Sequence, residues 1–356
     1  MQQRDFVVIG GGAMGLATAW HLARGGHDVV VLEQFGPQHG RGSSHGGTRI
    51  FRLSHDDADY VKLAQASLPL WRELEDEAQI KLLDLTGAVD HGPAAAIAPL
   101  VAALDSCGIA SELLSADEAT DRWPGMRFDE SVLFHPGGGR IHARATLEAL
   151  ENRASVYGAE VRYDERVEGF APSPRGLIVR SNKAEYEAKT VVVTAGAWVS
   201  KLVGHLVSLP TMEVTQEQTL HFQSKNAFEF WPSFLHHTYP LIFGLETPGE
   251  GVKVAEDATG PVVDPDDRDF MVDPFAAERV CAYVAEWMPG LDPQPVSSAT
   301  CLYTTPSTHD FIIDRTGPLV VVSPCSGRGF KFTPAVGKIA ANLATGVAWP
   351  PLRFRL

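Results

Sequence analysis

The residues whose types and spacing could do chemistry start with Gly10-Gly11-Gly12-Ala13-Met14-Gly15. A buried-strand run, Asp5-Phe6-Val7-Val8-Ile9, leads into it. An apolar helical segment from Leu16 to Arg24, Gly25-Gly26, a second strand from Asp28 to Leu32 and an acid, Glu33, come after it. Strand, G-x-G-x-x-G, helix, strand and acid, in that order, is what a dinucleotide site requires. Gly10 permits a tight turn, Gly12 lets a pyrophosphate approach the backbone, and Gly15 lets helix and strand pack closely. Free N–H groups at the helix start bind phosphates. Glu33, 18 residues beyond Gly15, can accept from ribose hydroxyls. An acid there favours a free 2′-hydroxyl, so NAD or FAD over NADP, and does not separate the first two.

The elements that must position this turn follow from periodicity. Asp56 to Gln79 reads as a long helix with Tyr60, Leu63, Ala64, Leu70, Trp71 and Leu74 on its apolar side, and Pro69 is expected to kink or split it. Residues 80–145 mix short strands with a helix from Ala95 to Cys107, ending in a turn-rich stretch, Phe134 to Gly139. A helix from Ala143 to about Gly158 leads to a strand, Glu160 to Tyr163. A second buried strand, from Lys189, breaks at Gly196, and residues 210–300 read as mostly β with loops. Late in the chain, strand Pro318–Ser323 precedes Gly327-Arg328-Gly329-Phe330-Lys331-Phe332 and a final helix, Pro334 to Thr345, with Pro334 in its first turn and Gly346 as its cap. Nucleotide-binding elements thus lie at the start, middle and end. The expected class is α/β (mixed α+β): a Rossmann-like domain from 1–80, 145–208 and 300–356, and a second domain from 81–144 and 209–299.

At 356 residues, two structural units are natural. A net charge of −14 and a pI near 5.4 disfavour nucleic acid and anionic membrane as partners. No apolar run approaches the length of a membrane span. The first strand starts too early to leave room for a signal peptide, and Arg353-Phe354-Arg355-Leu356 is no peroxisomal or lipidation signal, so a cytoplasmic location is expected. Cys107, Cys281, Cys301 and Cys325 have no CxxC spacing, which argues against a metal site or a disulfide framework.

Several further blocks point one way. Ser43-Ser44-His45-Gly46-Gly47-Thr48-Arg49-Ile50-Phe51-Arg52, Arg122-Trp123-Pro124-Gly125, Thr194-Ala195-Gly196-Ala197-Trp198, Thr300-Cys301-Leu302-Tyr303-Thr304 with Asp310-Phe311-Ile312-Ile313-Asp314, and Ser326 to Phe332 resemble, in order, blocks of the monomeric sarcosine oxidase and N-methyltryptophan oxidase family. These are amine-oxidising flavoproteins of the D-amino-acid-oxidase type. The resemblance implies FAD, a Rossmann-like FAD domain and a substrate domain on a mostly antiparallel mixed β-sheet.

It also implies roles. Cys301 matches the cysteine that carries FAD through an 8α-thioether. Arg52 and Lys331 match the pair that holds the substrate carboxylate; Lys331, between two phenylalanines after a Gly-x-Gly turn, is oddly placed for a solvated lysine. Two cations in a dry pocket would orient an amino acid for reaction. Tyr303, Phe243 and Gly327 are expected on the substrate side. Arg49 and His45 match residues beside the flavin ring, and Lys253 matches the lysine at which O2 is activated. Ala13, Met14, Ser43, Thr48, Val167, Ala195, Gly196, Trp198, Gly329 and Phe330, with Gly327 and Lys331 serving cofactor as well as substrate, complete the implied cofactor contacts. Cys325 is expected to be structural.

The departures from the family lie on the amine side. A tyrosine is replaced by Phe243, a pocket histidine falls near Asp257, another histidine becomes Arg328, and an aspartate becomes Gly47. An acid near Asp257 suggests an extra cation on the substrate. With no strong general base in the matching blocks, the substrate is expected to react as a neutral amine. The implied function is oxidation of an N-methyl or cyclic secondary amino acid, passing a hydride equivalent to flavin N5 and reducing O2 to H2O2 in a monomeric protein. The alternatives are a dehydrogenase that hands electrons to a quinone or carrier protein, and a non-catalytic flavoprotein.

Overall fold

The computed structural model describes residues 1–226, 231–347 and 352–356. An eight-stranded sheet holds the N-terminal strand, Gln2–Ile9, between parallel neighbours Val29–Leu32 and Glu185–Val193. Glu160–Arg162 and Leu319–Ser323 extend the parallel part on either side. Val7, Val8, Val30, Val31, Val191 and Val192 are fully buried, as continuous apolar runs in a parallel sheet covered on both faces should be. Ile9 pairs with both Leu32 and Val193. Gly10, Glu33 and Thr194, one residue on, therefore meet at the carboxyl ends of three adjacent strands, where open α/β sheets bind their ligands.

Helix Ala13–Arg24 covers one face with Leu16, Ala17 and Trp20 buried, each large apolar side chain contributing roughly 1.5–3 kcal/mol. The final helix, Thr333–Thr345, packs against it at Gly337, where a Cβ would lie 2.6 Å from that of Ala17. Gly346 caps that helix in the left-handed conformation, with φ 74°.

A second eight-stranded sheet runs Leu291–Pro306, Met212–Ser224, Gly251–Glu256, Ile242–Thr247, Ser233–His236, Ala88–Gly92, Ser131–His135 and Glu112–Leu114. All pairings are antiparallel except that of Ser233–His236 with Ala88–Gly92. This is the mostly antiparallel mixed sheet expected. A three-stranded sheet, Thr48–Phe51, Gly139–His142 and Leu83–Asp84, joins early and middle segments.

Four details differ from the sequence reading. Helix Ala58–Ala78 is unbroken at Pro69. Ser67 Oγ and Trp71 Nε1, on either side of the proline, both donate to the Lys331 carbonyl, at 3.1 and 2.9 Å, and tie the two halves to one acceptor. Residues 210–300 contain a 14-residue helix, Pro274–Trp287, started by Asp273, whose side chain accepts from Phe275 N, and by Pro274 in its first turn. A short helix, Ala116–Arg122, has a capping box between Ser115 and Glu118. The boundary drawn at 300 falls inside strand Leu291–Pro306, so Cys301 and Tyr303 belong to the second sheet.

Candidate active site

One cavity of about 970 Å³ runs from the glycine turn along the junction of the two large sheets. At the nucleotide end, Gly10 has φ 104°, and a Cβ there would lie 2.6 Å from the Thr194 carbonyl oxygen. A Cβ on Gly15 would sit 1.8 Å from the Gly10 carbonyl oxygen. Gly15 does not line the cavity; it acts beneath it, letting helix and strand close together. The helix begins at Gly12 without a side-chain cap bond, and Ala13 N donates to Ser44 Oγ at 3.1 Å. Glu33, at the end of its strand, accepts from Gly11 N at 2.7 Å and Phe35 N at 2.9 Å. Ala13, Met14, Ser43, Thr48, Val167, Ala195, Gly196, Trp198, Gly329 and Phe330 also line this space.

In the middle, the Arg49 guanidinium gathers the preceding loop. It donates to the carbonyls of Ser43, His45 and Thr48 at 2.8, 2.6 and 2.9 Å. Lys253 Nζ donates to the same Thr48 carbonyl at 2.8 Å. Only 6% of Lys253 is exposed, and burial, then the Arg49 charge, bring its amine down to about 7. Burial and the Arg49 charge bring His45 to about 4. Cys301 lines the cavity here. Burial pushes its thiol above the usual range, against the opposing charges of Arg49 and Lys253. Cys325 also lines the cavity, and its Sγ accepts from Thr304 N at 3.3 Å.

At the far end, Arg52, Lys331, Tyr303, Phe243, Asp257, Gly327 and Arg328 form the wall. Lys331 is 5% exposed; its Nζ donates to the Arg328 carbonyl at 2.8 Å, and burial, then the Arg52 and Arg328 charges, hold its amine well below the usual value. Tyr303 lies against Gly327, where a Cβ would reach its ring, and donates from its hydroxyl to Asp257 Oδ1 at 3.1 Å. Arg328 stacks 4.3 Å above the Tyr60 ring and donates to the His309 carbonyl at 2.8 Å. A Cβ on Gly47 would press on Thr247 and on the Glu250 carboxylate, so an acid from the turn between strands Ile242–Thr247 and Gly251–Glu256 stands beside this glycine.

Sequence reasoning missed what holds Arg52. Asp90, fully buried on Ala88–Gly92, lies 3.7 Å from Arg52 Nη1. It accepts from Ser54 Oγ and has His237 Nε2 at 2.8 Å. Arg52 also donates to the Ser54 carbonyl. Burial alone would raise the Asp90 carboxyl; the Arg52 charge and the His237 and Ser54 bonds outweigh it and hold it low. The signal available was an acid inside a short apolar strand. The Arg122-Trp123 block, by contrast, lies outside the cavity, with Arg122 packed 4.0 Å over Phe134.

Comparison with known proteins decides the family. Residues 5–343 match the profile of the DAO family, FAD dependent oxidoreductase. The chain belongs to this family. Monomeric sarcosine oxidase from Bacillus sp. (strain B-0618) is 32% identical over 362 residues, which cover 96% of this chain and 92% of that protein. Human peroxisomal sarcosine oxidase is 32% identical over the same shares. Among solved structures, NikD, described as an unusual amino acid oxidase essential for nikkomycin biosynthesis, superposes with a TM-score of 0.90 at 28% identity, covering 100% of this chain and 98% of that one.

The residues present in this FAD-dependent oxidoreductase fit the cofactor. A Cβ at Gly10 would strike the Thr194 carbonyl, the helix starts at Gly12 with no side-chain cap, and Glu33 lines the cavity just past the end of the second parallel strand. Among the described residues, no cluster of His, Cys, Asp and Glu could hold a metal ion, and no helix is long and apolar enough to cross a membrane.

Proposed function

We propose that this FAD-dependent oxidoreductase oxidises a secondary amino acid, N-methyl or cyclic, and uses O2 as acceptor, as a monomer in the cytoplasm. The observation that carries this reading is the meeting of Arg52 and Lys331 in the same cavity as the glycine turn and Lys253. In the reaction a C–N bond becomes C=N with loss of two electrons and two protons, which reduce O2 to H2O2; water then hydrolyses an open-chain imine. FAD, when bound, carries the two electrons.

The protein's part is orientation and electrostatics. Arg52, held by Asp90 and Ser54, and Lys331, held through the Arg328 carbonyl, offer two fixed donors for a carboxylate. A carboxylate anchored there leaves the adjacent carbon and amine facing the rest of the cavity, a positioning contribution that lowers the entropy to be lost on the way to reaction. Phe243 and the Tyr303 ring give that end apolar walls. Lys253 and Arg49 supply positive charge at the middle of the cavity, where negative charge develops during oxygen reduction. Cys301, which lines the same cavity, is the thiol that would carry FAD as a thioether.

Peroxide release in air from sarcosine, N-methyltryptophan, other N-methyl amino acids, L-proline, L-pipecolate and matched primary amino acids tests the reading. Peroxide from a secondary amino acid is the expected result. Anaerobic bleaching of the flavin without peroxide in air would move electron delivery to a quinone or carrier protein. No bleaching with any amine would remove the amine from the reading.

A further inference from the structure

The neutral-amine expectation leaves one proton without a destination. Secondary amino acids are ammonium ions near neutral pH, and a C–H bond next to nitrogen is oxidised through the free amine. The far end of the cavity holds a group that fits this need. Asp257 follows strand Gly251–Glu256, its backbone N–H fixed on the Leu241 carbonyl at 2.8 Å, and its side chain lines the cavity. One carboxyl oxygen accepts from the Tyr303 hydroxyl at 3.1 Å, so the other is the oxygen left for a ligand. Tyr303 is itself braced by Gly327.

The charged surroundings come from every element packed around it. Arg52, Lys331 and Arg328 act on Asp257 as cations, and Glu217 on the neighbouring strand acts as an anion. The same Arg52 and Lys331 are the carboxylate anchors of the proposed function. In an amino acid the amine stands one carbon away from the carboxylate, so a substrate anchored by those cations brings its nitrogen towards this acid.

We propose that Asp257 is a catalytic residue: its free carboxylate oxygen takes the ammonium proton of the bound secondary amino acid. The N–H bond breaks, an O–H bond forms on Asp257, and the nitrogen lone pair becomes available; no electrons leave the substrate in this step. The Tyr303 hydroxyl holds the carboxyl in place throughout. Burial raises the Asp257 carboxyl above its usual range, which makes it a better proton acceptor than a solvated carboxylate. The inference rests on the amine-oxidase reading above.

The test uses the holoenzyme and the secondary amino acid of the panel that bleaches the flavin fastest. The second-order rate constant for anaerobic flavin reduction is measured from pH 6 to 10 in the wild type, Asp257→Asn and Asp257→Glu. With Asp257 as acceptor, the wild-type constant is flat between the carboxyl and amine pKa values. Asp257→Asn can draw only on free amine, so its constant falls about tenfold per pH unit below the amine pKa, a deficit of roughly a hundredfold two units below it. Asp257→Glu restores the flat profile. Equal slopes in wild type and Asp257→Asn overturn the proposal, as does a uniform loss of affinity at every pH, which would put Asp257 on a fixed second cation instead. Calorimetry on dithionite-reduced wild-type holoenzyme at pH 8, in buffers of different ionisation enthalpy, needs no variant. Binding should release no proton to the buffer, and release of one proton per substrate overturns the assignment. If no amine bleaches the wild-type flavin, the oxidase reading itself has failed, an outcome distinct from these.

Discussion

Lys253 Nζ donates to the Thr48 carbonyl oxygen at 2.8 Å, across the junction of the second large sheet and the small three-stranded sheet. The contact fixes a cation at mid-cavity without neutralising it, because a carbonyl carries no full charge. Burial, then Arg49, lowers this amine to about 7, so it is charged below that pH and neutral above it. Reoxidation of the reduced enzyme by O2 should therefore slow as pH rises through about 7. Lys253→Met should lose roughly 10²–10³ in the second-order constant for O2, with anaerobic flavin reduction little changed, and its constant should no longer respond to pH in that window. Stopped-flow reoxidation checks both; a variant that reoxidises at the wild-type rate would separate Lys253 from oxygen chemistry.

Lys331 is held from both sides. Its carbonyl accepts from Ser67 and Trp71, and its Nζ donates to Arg328 O. Lys331→Met removes one charge-assisted contact to a carboxylate, worth on the order of 1.5–3 kcal/mol, and should raise KM roughly tenfold to a hundredfold. A matched amine without the carboxylate should be indifferent to the substitution. An unchanged KM for the amino acid would take Lys331 out of the carboxylate site.

The Cys301 thiol is pushed up by burial and pulled back by Arg49 and Lys253. Alkylation of the apoprotein by iodoacetamide should accordingly accelerate with pH beyond the range of an ordinary thiol. Acid precipitation of the wild-type holoenzyme should carry the yellow colour into the pellet, whereas Cys301→Ser should leave it in the supernatant. Free flavin in the wild-type supernatant would rule out the thioether.

The parts of the fold and site that were legible in the sequence were those written in local patterns. The glycine turn, the buried valine runs and the capped final helix each declare themselves within about a dozen residues. Lys331 stood out for a similar reason, a cation between two phenylalanines. What was not legible depends on pairings between distant segments. Asp90 gains meaning only when Ser233–His236 lies parallel to its strand and delivers His237, and the Tyr303 bond to Asp257, an acid the sequence did point to, exists only because Leu291–Pro306 brings Tyr303 alongside. Helix Pro274–Trp287 had its start signal in Asp273-Pro274, but it sits among loops rich in proline and aromatic residues. Pro69 is a case of tertiary override: one lost backbone bond is outweighed by the buried bonds from Ser67 and Trp71.

The buried histidines of the second sheet give a stability prediction independent of the cavity. His91 and His135 lie outside it, and among the described residues neither His135 ring nitrogen nor His91 Nε2 has a hydrogen-bond partner. Burial holds His135 at about 4 and His91 well below its usual value. Their folded pKa values are depressed below the unfolded value of about 6.5. The unfolded chain therefore binds more protons on descending from neutral pH, and stability that is complete above about 6.5 is lost as pH falls through about 4. Most of the native carboxylates with lowered values titrate below this window, as Asp84 does at about 2, so the histidines dominate the loss between 6.5 and 4. Each unit of depression is worth about 1.4 kcal/mol. Calorimetric Tm should fall steadily over that interval, and His135→Gln should shallow the fall by about one proton's worth of slope. A Tm that stays level down to pH 4.5 would mean that these rings are solvated rather than buried.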